Sequence, residues 1–249
     1  MNILSKIQPS DVSPYPFPHV IVEDAIDREV ANQLLAEIPS LESIGKIRHG
    51  NQRISMGYDR AMNLATPPWR EFLSIHVSQE FCDDFSRVFG FPRYRVGIRH
   101  RDSFNDTEML LDAQICANTP ADTPSSVRGP HVDTPEAIFA GLLYLRHPND
   151  DSIGGDLQLF EIKKDPVFHW GQFVDEKYVR AVKTIPYKHN TFIVFPNSVH
   201  AVHGVTVRQP TKWPRYFVNF VGDVGHDMFY RPHEGRIKAW WRGKKPKGY

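Results

Sequence analysis

Cysteine is scarce in this sequence. Cys82 and Cys116 are the only two, and they form no CxxC, so neither a disulfide framework nor a zinc knuckle is expected. Charge of one sign is scarce too. Thirty Lys and Arg against 29 Asp and Glu leave a formal net charge of +1, and a balance that close sets up no global field toward nucleic acid or a membrane surface. No apolar run approaches the roughly 18 residues that a membrane-spanning helix needs. The opening MNILSKIQPSDVSPYPFPHV lacks an apolar core of signal-peptide length. The expectation is a cytoplasmic protein with no membrane span. No internal repeat is visible.

What is present is ordinary globular material. The 249 residues are 41% hydrophobic and 24% charged, close to average usage, and the 12% aromatic content argues against disorder. One domain of this length is within the range of all-β barrels and sandwiches and can bury a sizeable core.

The pattern changes along the chain. Residues 1–92 read as helical support. PFPHVIVEDAIDREVANQLLAEIP reads as a strand, a turn and a helix, with Asp27 as N-cap. Val30, Leu34, Leu35 and Ile38 form the apolar face, and Pro39 stops the helix. A second helical region follows ATPPW, with Thr66 as cap and Pro67 in the first turn. Its apolar residues run from Phe72 to Phe89, and Gly90 ends it. Residues 93–224 break into about eight short strand candidates separated by turns: YRVGIRH, EMLLDAQICAN, AIFAGLLYLR, GDLQLFEIK, RAVKTIP, NTFIVFP, AVHGVTV and RYFVNFVGDV. That count implies a double-sheet jelly roll or barrel, a mainly β fold with helices packed on one sheet. Residues 225–249 form a basic C-terminal extension.

The chemistry centres on GPHVDTPEAIFAGLLYLR. In extended chain, residues i and i+2 point the same way, so His131 and Asp133 can reach one metal ion. A metal that activates oxygen needs three ligands on one face and open positions on the other, and two histidines with one carboxylate provide this. By itself an HxD is a weak signal among twelve histidines, and it also suits a loop before Pro135. The distal segment NTFIVFPNSVHAVHGVTV offers His200 and His203. They are three apart and face opposite ways, so one of them is available as third ligand. In WPRYFVNFV, Arg215 opens an apolar strand. Buried there, it would be costly unless it held an anion, and its fork suits a carboxylate. Exposed, it would be a simple strand-end charge.

Taken in order, HVD, GLLYL, GGDLQLFE, NTFIVFPNSVHAVHGV and RYFVNFV resemble the Fe(II)/2-oxoglutarate-dependent dioxygenases, in their prolyl-4-hydroxylase-like branch. The resemblance covers roughly residues 94–223, and PFPHVIVEDAID is similar to the start of small bacterial members. It implies a double-stranded β-helix core in a single oxygenase domain. It also implies His131, Asp133 and His203 as iron ligands, since HGV matches the distal motif and leaves His200 aside. It implies Arg215 on the distal carboxylate of 2-oxoglutarate, with Arg208 as a weaker rival because RQPTKW lengthens the spacing, and Tyr144 as a partner of the same carboxylate. Gly154 and Gly155 would make a tight entry to a strand whose Leu157, Leu159 and Phe160 pack near the site. The implied requirements are Fe(II), 2-oxoglutarate and O2, with ascorbate as a candidate reductant. The implied products are succinate, CO2 and an alcohol. A carboxylate at Asp133, where related halogenases carry a small residue, implies hydroxylation; desaturation and ring closure use the same ligands.

The substrate is less legible. Arg99, His100, Arg101 and Arg128 would suit an anionic group, and Phe168, Trp170 and Phe173 a ring or sugar face. Nucleic-acid repair members carry a second arginine six residues after the first, where this chain has Val221, and the net charge gives no phosphate footprint. A small-molecule substrate is therefore expected, with a peptidyl (prolyl-type) or glycan substrate as the alternative and no nucleic acid. A non-redox jelly-roll binding protein would explain the strands but not His131, Asp133, His203 and Arg215 in that order. A cupin-like hydrolase or isomerase would have less use for Arg215.

Overall fold

A computed structural model describes residues 2–164, 168–169 and 172–230. The basic stretch GRIKAWWRGKKPKGY and Trp170 lie outside them. In chain order the strands and helices are β1 (Val20–Val22), α1 (Arg28–Ala36), α2 (Leu41–Ile44), β2 (Arg53–Met56), α3 (Tyr58–Leu64), α4 (Pro67–His76), α5 (Gln79–Phe89), β3 (Val96–Ile98), β4 (Met109–Asn118), β5 (Ala137–Tyr144), β6 (Leu157–Ile162), β7 (Phe168–His169), β8 (Phe173–Val174), β9 (Val179–Ile185), β10 (Thr191–Pro196), β11 (His203–Val205) and β12 (Arg215–Asp223). All eight strand candidates contain a strand.

The helix signals hold in part. Asp27 caps α1 by accepting from the Glu29 and Val30 amides. Gly90 ends α5 in the left-handed region at φ 73°, which a residue without a Cβ adopts at little cost. Two details differ. On α1 the buried residues are Ala31 and Leu34, while Val30 is exposed; the short helix meets the body along a narrower stripe than the apolar pattern suggested. The region from Phe72 to Phe89 is two helices. Val77 leaves helical geometry, and Ser78 caps α5 by accepting from the Phe81 amide. Apolar residues that continue across the break mask that restart. Thr66 stands at the N-cap of α4 but its hydroxyl caps nothing.

Seven strands form the large sheet, in the order β1-β10-β5-β12-β4-β2, with β3 beside β4; β11-β6-β9 form a second sheet and β7-β8 a hairpin. Pairings are antiparallel except β3 with β4. Strand β2 was not anticipated, although its RISM alternates exposed and buried.

Alternation sorts the large sheet's side chains into two layers. Ile115, Leu143, Phe192, Val194, Val218 and Phe220 face the helices and join Trp69, Phe72, Phe81 and Phe85 in one core. The Phe72 and Phe81 rings lie 6.2 and 5.8 Å from Phe220. The opposite face carries Cys116, Ala140, Tyr144, Ile193, Phe195 and Phe217, which pack against Leu157, Leu159 and Ile185 of the second sheet. The space between the sheets is where the site lies.

Candidate active site

His131 reaches the site because its backbone extends the second sheet. It exchanges two hydrogen bonds of 2.9 Å with His203, the first residue of β11. Both imidazoles are oriented by backbone carbonyls: Nδ1 of His131 lies 2.8 Å from Gly129 O, and Nδ1 of His203 lies 2.9 Å from Ala201 O. A carbonyl can only accept, so each Nδ1 carries the proton and each Nε2 keeps a lone pair. The Nε2 atoms of His131 and His203 sit 3.9 and 3.6 Å from the Asp133 carboxylate. All three potential ligand atoms lie within 4.8 Å of one another.

The electrostatics favour this protonation pattern. Desolvation, helped by Arg128, pushes His131 well below the ordinary histidine value. Burial lowers His203 as well, against the pull of Asp133. Burial would raise Asp133, but its electrostatic interactions with His203 and Arg128 outweigh that and hold the carboxyl below its usual range. Two neutral imidazoles and a carboxylate result. Nε2 of His131 is buried with no hydrogen-bond partner, which is costly in a folded protein unless something else occupies the lone pair. A divalent metal fits that atom and this donor set. Exposed His200 stands outside the cluster.

Further between the sheets, Arg215 is 2% exposed. Its guanidinium carbon lies 4.7 Å from the Tyr144 ring centre, 5.1 Å from Tyr187 and 4.9 Å from Phe217. Nη1 donates to Asn118 Oδ1 at 3.1 Å, while Nε and Nη2 donate to nothing. The Tyr144 hydroxyl, the Thr191 hydroxyl and Asn118 Nδ2 are also buried without partners. Strand register brings these groups together: Tyr144 faces Thr191 on β10 and Phe217 on β12, and Arg215 faces Asn118 on β4. Burial raises the Tyr144 phenol, so it stays protonated. A cation and several unpaired donors around one space have the chemistry to receive a carboxylate. Phe195, on the same face of β10, links this pocket to the metal cluster, 4.8 Å from the His203 ring.

Arg208 is also buried, but both of its terminal nitrogens bond to structure and only its Nε lacks a partner. Nη1 donates to Thr119 O and Nη2 to Trp213 O, at 3.1 and 2.6 Å. Gly154 and Gly155 adopt φ 82° and 85° beneath the two arginines. A Cβ on Gly155 would come within 3.1 Å of both Arg208 and Arg215.

The loop arginines separate. Arg128 is at the cluster, 3.3 Å from Asp133 Oδ1, and its Nη2 donates to Gln172 Oε1. Phe173 stands beside it, its ring 5.9 Å from His131. Arg99 pairs with Asp223 and Arg101 with Asp102. Exposed His100 is outside the metal cluster, and Phe168 packs in a satellite core with Val132 and Phe160. Sequence reasoning missed Asn118, Thr191 and Tyr187, because isolated polar residues carry no local motif.

Two histidines and one carboxylate with open positions are the facial triad of non-haem Fe(II) oxygenases. Among solved structures, the chain is similar to a prolyl 4-hydroxylase from Phytophthora capsici, at 18% identity and a TM-score of 0.56 over 96% of this chain and 72% of that one. It is also similar to the non-haem α-ketoglutarate-dependent carbocyclase SnoK from nogalamycin biosynthesis, at 15% identity and 0.53 over 92% and 87%. A third similar structure is a prolyl hydroxylase from Trichoplax adhaerens, solved with a hypoxia inducible factor oxygen degradation domain peptide fragment, at 13% and 0.52 over 83% of each chain. No protein-family model and no curated protein matches the sequence. The chain has the fold of these enzymes. No helix among the described residues is long and apolar enough to cross a membrane.

Proposed function

We propose that this protein is an Fe(II)/2-oxoglutarate-dependent oxygenase that hydroxylates an unactivated C–H bond of a small molecule. The observation that carries this reading is a pair of unmet demands in one interior: the buried, unpartnered Nε2 of His131 beside Asp133 and His203, and the unpartnered Nε and Nη2 of Arg215.

In this reading His131, Asp133 and His203 would hold Fe(II). Arg215 grips the distal carboxylate of 2-oxoglutarate through its free fork, and Tyr144 donates its hydroxyl to the same group. When bound, the metal and cosubstrate supply oxidative decarboxylation of 2-oxoglutarate by O2, giving succinate and CO2 and oxidising a C–H bond. The chain's own task is placement. Gly129 O and Ala201 O fix the imidazole planes, Arg128 orients the carboxylate of Asp133, and Phe195, Leu157 and Leu159 keep water from the space between the sheets. A peptidyl substrate is the second reading; it is supported by the likeness to prolyl hydroxylases, one of them solved with a peptide.

The test is to incubate the protein with Fe(II), ascorbate, O2 and 2-oxoglutarate, follow succinate, and measure 2-oxoglutarate binding to the metal-loaded protein. Binding with slow succinate release is expected even without the primary substrate. If neither occurs, and His131→Ala leaves metal affinity unchanged, the reading fails.

A further inference from the structure

Arg53 belongs to no role described so far. It opens β2, the edge strand of the large sheet, opposite Asn118, the residue that accepts from Arg215 on the neighbouring strand. Arg215, Asn118 and Arg53 thus form one row across three strands, and alternation sends them to the interior face. The contacts of Arg53 agree. Its guanidinium lies 5.5 Å from the Phe217 ring, and Nη2 is a long 3.5 Å from Gln114 Oε1 and 3.8 Å from Cys116 Sγ.

Nearby arginines have strong partners. Arg128 has Asp133, Arg99 has Asp223, and Arg208 has two carbonyls. Among the described residues no carboxylate lies within ion-pair distance of Arg53. It is exposed, so a ligand can reach it. It reaches toward the His131–Asp133–His203 cluster: Gln114, which its Nη2 approaches, lies opposite Asn219 on β12, and Asn219 lies opposite Leu142 on β5. The next residue of β5 on that face, Ala140, pairs with Phe195, whose ring is 4.8 Å from that of His203. The surroundings of Arg53 are the neutral amides of Gln114 and Asn219, which touch each other at 3.5 Å. The Phe173 ring lies 5.9 Å from that of His131. The interior that holds the cluster is thus bordered by a guanidinium with no ion-pair partner among the described residues and by an aromatic ring.

We infer that Arg53 anchors an anionic group, a carboxylate or a phosphate, on the primary substrate, whose apolar body lies over the His131–Asp133–His203 cluster against Phe173. This deepens the oxygenase reading and rests on it. A guanidinium fork recognises both anions bidentately. The inner carboxylate of 2-oxoglutarate has the same chemistry, so the test must separate the two sources.

Wild type, Arg53→Gln and Arg53→Lys are loaded with Mn(II) and 2-oxoglutarate. Binding of 3-phenylpropionate, 2-phenylethyl phosphate and neutral 3-phenylpropionamide is measured by calorimetry and by Mn(II)-induced relaxation of the probes' ring protons. At least one of the acids should bind wild type about tenfold more tightly than the amide, the scale of one charge-assisted contact, with its ring protons relaxed by the metal. Arg53→Gln should remove that preference while shifting 2-oxoglutarate affinity less than about twofold, and Arg53→Lys should keep part of it. The inference is overturned if both acids bind no better than the amide, or if no probe binds. It is also overturned if Arg53→Gln weakens 2-oxoglutarate as much as the acids, since the arginine then serves the cosubstrate. Failure of wild type to take up Mn(II) or 2-oxoglutarate is scored first, and it sinks the oxygenase reading together with this one.

Discussion

The Arg215 guanidinium lies 4.7 Å above the Tyr144 ring, and both side chains are buried with polar atoms that bond to nothing. A folded chain rarely leaves a cation and a hydroxyl in that state without a ligand to complete them. In the proposed reading, the pair sets both the affinity for 2-oxoglutarate and a stability cost of this pocket.

Arg215→Gln should weaken 2-oxoglutarate binding by about 100-fold, the scale of losing a buried charge partner, with metal affinity nearly unchanged. Tyr144→Phe should cost about three- to tenfold, one neutral hydrogen bond. Calorimetry on Mn(II)-loaded protein reads both. Arg215→Met should leave the ligand-free protein as stable as wild type or more so in urea unfolding, because it removes an uncompensated buried charge. A large loss of stability in Arg215→Met would mean that the arginine is structural.

Alanine at His131, Asp133 or His203 should each abolish tight Mn(II) or Fe(II) binding under anaerobic titration. Alanine at exposed His200 should leave it within about twofold of wild type, as for a surface change away from the site. The reverse result at positions 200 and 203 would reassign the third ligand.

His76 sets an acid limit on stability. Its Nδ1 donates to Phe72 O, and its Nε2 accepts from the Ile3 amide at 3.1 Å, so the folded protein needs it neutral. Desolvation holds its pKa down at about 4, against 6.5 for the free side chain. Above pH 6.5 both folded and unfolded forms are neutral, and the stability is fully present. As pH falls from 6.5 toward 4 the unfolded chain takes up the proton first, and on the order of 3 kcal/mol is lost. Urea unfolding across that range should show the decline. His76→Leu should be less stable at neutral pH, having orphaned the Ile3 amide, but should lack this part of the pH dependence.

Gly154→Ala should be far more damaging than Gly90→Ala. Both glycines have positive φ, but a Cβ at 154 would fall 1.9 Å from Val207 O, whereas nothing lies within 4 Å of one at 90. The expected cost at 90 is about 1 kcal/mol of backbone strain. At 154 the backbone must move as well, and more than about 3 kcal/mol is expected, read from urea midpoints.

Much of the frame was legible because strand alternation and turn residues are local signals. NTFIVFP and RYFVNFV announced β10 and β12, and Gly90 announced the end of α5. The break at Ser78 was hidden because apolar residues continue across it and only the cap marks it. RISM was passed over because four residues give too short a pattern. Arg53 was missed with it, since its place on the interior face follows from which strand β2 pairs with.

By itself the sequence determined the strand content, the pairing of His131 with Asp133 on one extended segment, and the resemblance that ordered His203 and Arg215 after them. Those features depend on neighbours along the chain. The tertiary structure decided what depends on neighbours in space. It set His203 against His131 through a backbone bridge and left His200 in solvent. It bound Arg208 to carbonyls while leaving the fork of Arg215 free, and it aligned Arg215, Asn118 and Arg53 across three strands. Two arginines seven residues apart look alike in a sequence; burial and hydrogen-bond accounting separate the one that supports the fold from the one that awaits a ligand.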